Sequence, residues 1–205
     1  MSITNYGELK SAVASWLERD DLTSRIPEFI AMAEDRIGLD LRIRPMETSV
    51  DVTISAQTAS LPTGFLGARR FVLDNDAARI EYLSPQQFWK RGMARDTGIP
   101  KAYTIEGDNL VFAPYPSSGS YTGKLYYWQK FTALSGDADT NWLFTNARGI
   151  LLYASLLEAA MYLEDDEAAA RWGRLYEDIK GRVNVSDSQD RFPVGATMRS
   201  EVSVV

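Results

Sequence analysis

The stretch NARGILLYASLLEAAMYLEDD, residues 146–166, limits what this chain can fold into more than any other. From Ile150 to Leu163, twelve of the fourteen residues are apolar, Ser155 and Glu158 being the exceptions. A helix of that composition is apolar on most sides, so it needs other apolar surfaces around it. The run is shorter than the roughly 20 residues a bilayer requires and carries an acid in its middle. A buried helix is therefore expected, not a membrane span. Ala154, Ala159 and Ala160 let neighbours come close, and Glu158 demands an arginine, another polar group or water.

Three other segments offer the surfaces such a helix requires. Residues 5–19 read as a helix with Asn5 as its cap, Glu8 reaching back from N3, and Leu9, Val13, Trp16 and Leu17 on one face. A second helix runs from about Ser24 to Leu41, with Pro27 in its first turn and a stripe of Ile26, Phe29, Ile30, Ala33 and Ile37. The apolar run itself supplies a helix over about 146–164. A fourth covers about 166–183, with Trp172, Leu175, Tyr176 and Ile179 on one face. The acids Glu164 to Glu167 precede it and suit its dipole.

Between the two pairs the period changes to two. METSVDVTIS alternates as a half-buried strand, ARRFVLD and ARIEYL read as further strands, and Ser84-Pro85-Gln86-Gln87 opens a short helix to about Met93. AYTIEGDNLVFAP reads as a hairpin turning at Gly107, Asp108 and Asn109. YTGKLYYWQKF is a long strand that sends Leu125 and Tyr127 one way, Tyr126 and Trp128 the other. SGDADTN is a polar linker. The expected fold class is α+β: an antiparallel helical bundle built from the N- and C-terminal helix pairs (1–44 and 141–183), an inserted antiparallel β-sheet lobe (45–140), and an extended C-terminal tail (184–205).

Composition excludes several kinds of chemistry. The 205 residues contain neither cysteine nor histidine, so thiol nucleophiles, imidazole acid–base steps, disulfides and Cys- or His-ligated metals cannot be built. No phosphate-binding glycine loop is present, and no cofactor is expected. The opening MSITNYGELK lacks the pattern of an export signal. A formal net charge of −6 argues against a freestanding nucleic-acid binder. The carboxylate pairs Asp20-Asp21 and Asp165-Asp166 are the remaining catalytic candidates, and solvated turns and helix caps account for them far more simply than a catalytic dyad does. GDADTN lacks the residue order of a calcium loop.

Two groups stand out as contact candidates. The basic residues Arg69, Arg70, Lys90, Arg91 and Arg95 suit surface solubility or a salt bridge to a neighbouring subunit more simply than a surface facing DNA. The strand aromatics Tyr126, Tyr127 and Trp128 can stack bases, although they alternate faces and part of the set is more simply core. The tail residues Phe192, Pro193, Val194, Met198, Val202, Val204 and Val205 are apolar without helical spacing. They form either a disordered terminus or an arm that docks on a partner.

The order of segments resembles the head-to-tail adaptor (connector) proteins of tailed bacteriophages, including the tail-tubular-A-like group. The stretches that carry the likeness are LKSAVASWLERDDLTSRIPEFIAMAEDRIGLDLR, LPTGFLGARRFVLD, LSPQQFWKR, GIPKAYTIEGDNLVFAPYP, TNWLF and ILLYASLLEAAMYLEDDEAAARWGRLYEDI. Such proteins often place a proline before the long third helix, where this chain has Asn146-Ala147. The resemblance implies a structural virion protein and not an enzyme. It would form a ring of own copies, usually twelve, between portal protein and the tail nozzle or tube protein, at the neck of the virion after assembly in the host cytoplasm. DNA would pass through the ring's channel without sequence-specific binding, and no membrane would be involved. The tail residues would then reach the portal. The alternatives are a virion-associated cell-wall-degrading enzyme using carboxylates and a DNA-packaging factor.

Overall fold

The computed structural model describes residues 3–74, 79–92 and 96–191, with the backbone alone for Asp20 and Arg79. The fold is α+β. The chain divides into two compact units, one running up to Arg44 and resuming at Thr132, the other spanning Pro45–Phe131.

The helical unit begins with α1, Tyr6–Leu17, and α2, Ile26–Asp40. Asn5 caps α1 by accepting the Glu8 N–H at 2.9 Å. The Glu8 carboxylate reaches back one residue further than a capping box predicts, accepting the N–H and hydroxyl of Thr4. Those bonds hold its pKa below the usual range. The loop before the last helices completes this cap, since the N–H groups of Tyr6 and Gly7 donate to the carbonyls of Asp139 and Asp137. The expected stripe of α2 is buried throughout: Ile26, Phe29, Ile30, Ala33 and Ile37.

The apolar run forms one helix, and a separate short helix precedes it. A short α4, Trp142–Asn146, is capped by Asn141, and α5, Arg148–Tyr162, follows after Ala147, whose φ of −148° breaks the helical path. Ten of the fifteen residues of α5 are buried. That count fits its surroundings, because α1, α2, α4 and α6 all pack against it. At Gly149 a Cβ would lie 2.7 Å from the Ile179 Cδ1 of α6, so glycine sets that close approach.

The last helix, α6, spans Asp166–Arg191, eight residues beyond the expected end. Residues 184–191 are therefore helical and not part of an extended tail. The reason is polar, which is why no apolar period announces it. Arg191 pairs with Asp187 at 2.6 Å, one turn back. Asp187 also accepts the backbone N–H of Arg44 at 2.6 Å, and Asp190 meets the Arg44 guanidinium at 3.1 Å. Residues 192–205 lie outside the described set, and so does the rest of the expected tail.

The other unit is a seven-stranded sheet: β1 Glu47–Ile54, β2 Thr58–Ser60, β3 Phe65–Leu73, β4 Arg79–Tyr82, β5 Ala102–Glu106, β6 Asn109–Ala113 and β7 Tyr121–Gln129. Their order is β1-β7-β3-β4-β5-β6-β2. Strands β1 and β2 at the two ends approach each other, so the sheet is nearly closed. Val52, Ile54, Phe71, Leu73, Tyr103, Leu110, Phe112, Leu125 and Tyr127 fill its interior. The sheet is not wholly antiparallel, because β4 and β5 run parallel. The connection between them contains the helix α3, Pro85–Lys90, and is long enough for the crossover a parallel pair needs. Ser84 caps α3, and Phe88 packs on Leu83, Ala102, Val111 and Ala113. The Gly107-Asp108 turn joins β5 to β6 with Gly107 at a φ of 55°, as a two-residue hairpin requires.

Candidate functional site

Two surfaces qualify as contact sites. The first is on the outer face of the sheet. In register, Glu47 of β1 lies beside Trp128 of β7, Ser49 beside Tyr126 and Asp51 beside Lys124. Leu125 and Tyr127 point inward, so these side chains point outward. Strand β3 flanks β7 and is bulged twice, between Phe65 and Gly67 and between Ala68 and Arg70. The second bulge lets the consecutive residues Arg69 and Arg70 both reach aromatic rings on β7, although a regular strand would send them to opposite faces. Arg69 lies 4.9 Å from the Trp128 ring centre and Arg70 4.1 Å from that of Tyr126. Arg69 is also paired with Glu47, and Lys124 with Asp51 at 3.2 Å. The result is a two-rung ladder of guanidinium on aromatic ring.

The other basic candidates are not part of that ladder. Lys90 and Arg91 stand at the end of α3, where Arg91 pairs with Glu81 at 3.0 Å. Arg95 lies outside the described residues. Nearby, Trp89 is half exposed and donates its indole N–H to Glu106.

The second surface belongs to the helical unit. Met32 is 54% exposed and Leu39 75%, one heptad apart on α2. On α6, Val185 is 57% exposed and Leu175 37%. Trp16 of α1 is 48% exposed and leans on Tyr153 and Trp172, at 6.1 and 5.5 Å between ring centres. Tyr153 stacks on Trp172 in turn, and Arg171 covers the latter ring.

The same unit holds a polar network with only one part foreseen. Glu158, 4% exposed on α5, meets Arg36 of α2 at 2.6 Å, which answers the demand made by an acid in an apolar helix. One turn on, Asp40 accepts the Tyr176 hydroxyl at 2.8 Å, and Lys180 joins it at 3.3 Å. Burial, then the hydrogen bond to Asp40, pushes the Tyr176 phenol well above its ordinary range. Glu34 of α2 is a separate case. Its carboxylate accepts the Leu134 N–H, yet burial raises its pKa to about 7. No spacing in the sequence could have singled it out, because its partner is a backbone group a hundred residues away.

Of the four candidate carboxylates, Asp21 and Asp165 are taken up by structure, and the Asp20 side chain lies outside the described residues. Asp21 forks onto Arg19 at 2.7 and 2.8 Å. Asp165 accepts the Ala168 N–H at 2.9 Å and so caps α6. Asp139 in the GDADTN segment accepts the N–H of Gly136 and the N–H and hydroxyl of Ser135, which holds its pKa low. Among the described residues no three metal-ligating side chains come together. No helix among them is long and apolar enough to cross a membrane. The tail candidates Phe192, Pro193, Val194, Met198, Val202, Val204 and Val205 all lie outside the described residues.

Both surfaces lie on helices and strands and suit contact with other macromolecules. A search of curated proteins found no match. The sequence matches the SU10 adaptor protein family over residues 4–200, nearly its whole length, and the chain therefore belongs to that family of phage structural adaptors.

Proposed function

We propose that this protein is a head-to-tail adaptor whose copies form a ring between the portal and the tail, enclosing the passage for DNA in the neck of the virion. Membership of the adaptor family carries this reading. In it, residues 1–44 and 141–183 act as one antiparallel bundle, residues 45–140 as an inserted lobe and the C-terminal segment as the portal-reaching arm. Twelve copies is the stoichiometry the resemblance implies, within the tail-tubular-A-like group.

The exposed side chains support a ring. Met32 and Leu39 on α2, and Leu175 and Val185 on α6, are apolar surface that one subunit leaves uncovered. A contact between unlike patches on successive copies is head-to-tail, and such a contact closes into a ring when the rotation allows. The acidic character of the chain suits a conduit to which DNA does not adhere.

Mass photometry and negative-stain imaging of the full chain mixed with portal protein test the reading. A ring on the portal is expected. Monomers that leave the portal bare would overturn it. Removal of residues 192–205 is expected to weaken portal binding while leaving the thermal transition nearly in place.

A further inference from the structure

We propose that the arginine–aromatic ladder on the outer face of the sheet receives the acidic α5–α6 turn of the next copy. The proposal rests on the ring reading and adds a named contact to it.

The ladder is built to bind. A free arginine samples many rotamers, and holding it in one geometry costs affinity. Here Arg69 and Arg70 are already laid on Trp128 and Tyr126. Stacking uses the flat face of a guanidinium and leaves its N–H edge available for a carboxylate. Arg69 spends part of that edge on Glu47. Arg70 is exposed and has no acidic partner among the described residues.

The complement occurs elsewhere on the same chain. Glu164, Asp165, Asp166 and Glu167 are four consecutive acids, all exposed. Asp165 caps α6, and the other three enter no ion pair among the described residues. Glu164 holds a φ of 55°, so the turn is a defined shape and not a loose loop. One patch belongs to the sheet unit and the other to the helical unit. Their pairing between copies is a contact of unlike surfaces, the kind that builds a ring.

Duplex DNA is the competing occupant of the ladder. The same face carries Glu47 and Asp51 beside the aromatics. Those carboxylates oppose a phosphate backbone but fit a protein surface of mixed charge.

Charge reversal tests the contact in the full chain assembled on portal protein. Arg70→Glu alone, and Glu164→Lys with Asp166→Lys, are each expected to raise the concentration for half-assembly at least tenfold. All three changes in one chain are expected to restore it, since every junction then carries the reversed pair. Arg70→Lys, which keeps the charge without the stacked plane, is expected to fall between native and Arg70→Glu. Folding of each variant is checked by its thermal transition. Native-like assembly of Arg70→Glu, or no rescue in the triple variant, overturns the contact while native rings uphold the adaptor reading. Failure of the native chain to assemble overturns both. Native-like assembly of Arg70→Glu with lost retention of duplex DNA at low salt gives the face to nucleic acid and also overturns the contact.

Discussion

The two units solve the problem of burial in opposite ways. The sheet unit turns one continuous segment, Pro45–Phe131, around a core that its own strands enclose. The helical unit gathers both ends of the chain around α5 and leaves Met32, Leu39, Leu175 and Val185 in solvent. The sheet unit leaves Ile99 exposed as well, and of its other large exposed side chains it commits Trp89 to Glu106 and Tyr82 edge-on to Tyr103. The contrast is in what each unit offers a neighbour: the helical unit leaves apolar side chains uncovered, and the sheet unit presents a face of charged and aromatic ones.

The helical unit holds its centre with an ion pair, and that is where the contrast can be broken most sharply. Arg36→Ala leaves the Glu158 carboxylate buried without its partner. An expected loss of about 3 kcal/mol follows in chemical denaturation. Glu158→Leu in that background is expected to recover most of it, because the leucine suits the surrounding side chains. If Arg36→Ala costs nothing, the pair is ornamental and the helical unit is held by apolar packing alone.

In the sheet unit the equivalent weak point is steric. A Cβ at Gly123 of β7 would lie 2.3 Å from a ring carbon of Phe71 and 2.8 Å from the Val72 carbonyl oxygen. Gly123→Ala is expected to destabilise by about 2 kcal/mol. Hydrogen exchange should rise in β3 and β7 and stay unchanged in α5. Equal rises in both places would show that the units unfold as one.

A smaller effect sharpens the comparison through pH. The Glu34 pKa is raised to about 7. A carboxyl with a raised folded pKa binds its proton more tightly in the native state than in the unfolded one. Its contribution is therefore fully present below the ordinary carboxylate range and is lost as pH rises to about 7. Glu34→Gln is expected to flatten that part of the stability profile by roughly 1 kcal/mol after solvent screening. Denaturation at pH 5 and pH 8 reads it, and an unchanged slope would remove Glu34 from the account.

The smallest effect concerns a helix end. Glu18 closes α1 in the left-handed region, at a φ of 51°. Glycine adopts that conformation without strain, so Glu18→Gly is expected to raise stability by about 0.5 kcal/mol. A thermal scan that moves downward would show that the Glu18 side chain matters more than its backbone.

Much of the fold was legible where burial is periodic. Leu9 and Val13 of α1, the stripe of α2, the inward pair Leu125 and Tyr127, and the caps at Asn5 and Ser84 each declare themselves within a few residues, whereas Trp16, expected on the buried face of α1, is half exposed. What escaped is non-local or polar. Strand β2 is three residues long and exists because β6 is beside it. The parallel pairing of β4 with β5 is a matter of topology, and no residue in either strand encodes it. The last two turns of α6 depend on ion pairs with Arg191 and Arg44, so an apolar pattern ended at residue 183 while the helix continued. The candidate contact residues were legible as types only. Arg69 and Arg70 stand out as a basic pair, but their rings come from another strand, and the bulge that brings them together has no signature in the sequence.

The bonds from Asp187 and Asp190 to Arg44 have a mechanical consequence. Tension applied to the polypeptide beyond Arg191 cannot simply unwind α6 from its end. It first loads two carboxylate contacts and so reaches Arg44, the residue at which the backbone passes from one unit into the other. A pull at one terminus is thereby felt at a junction about 150 positions earlier in the chain.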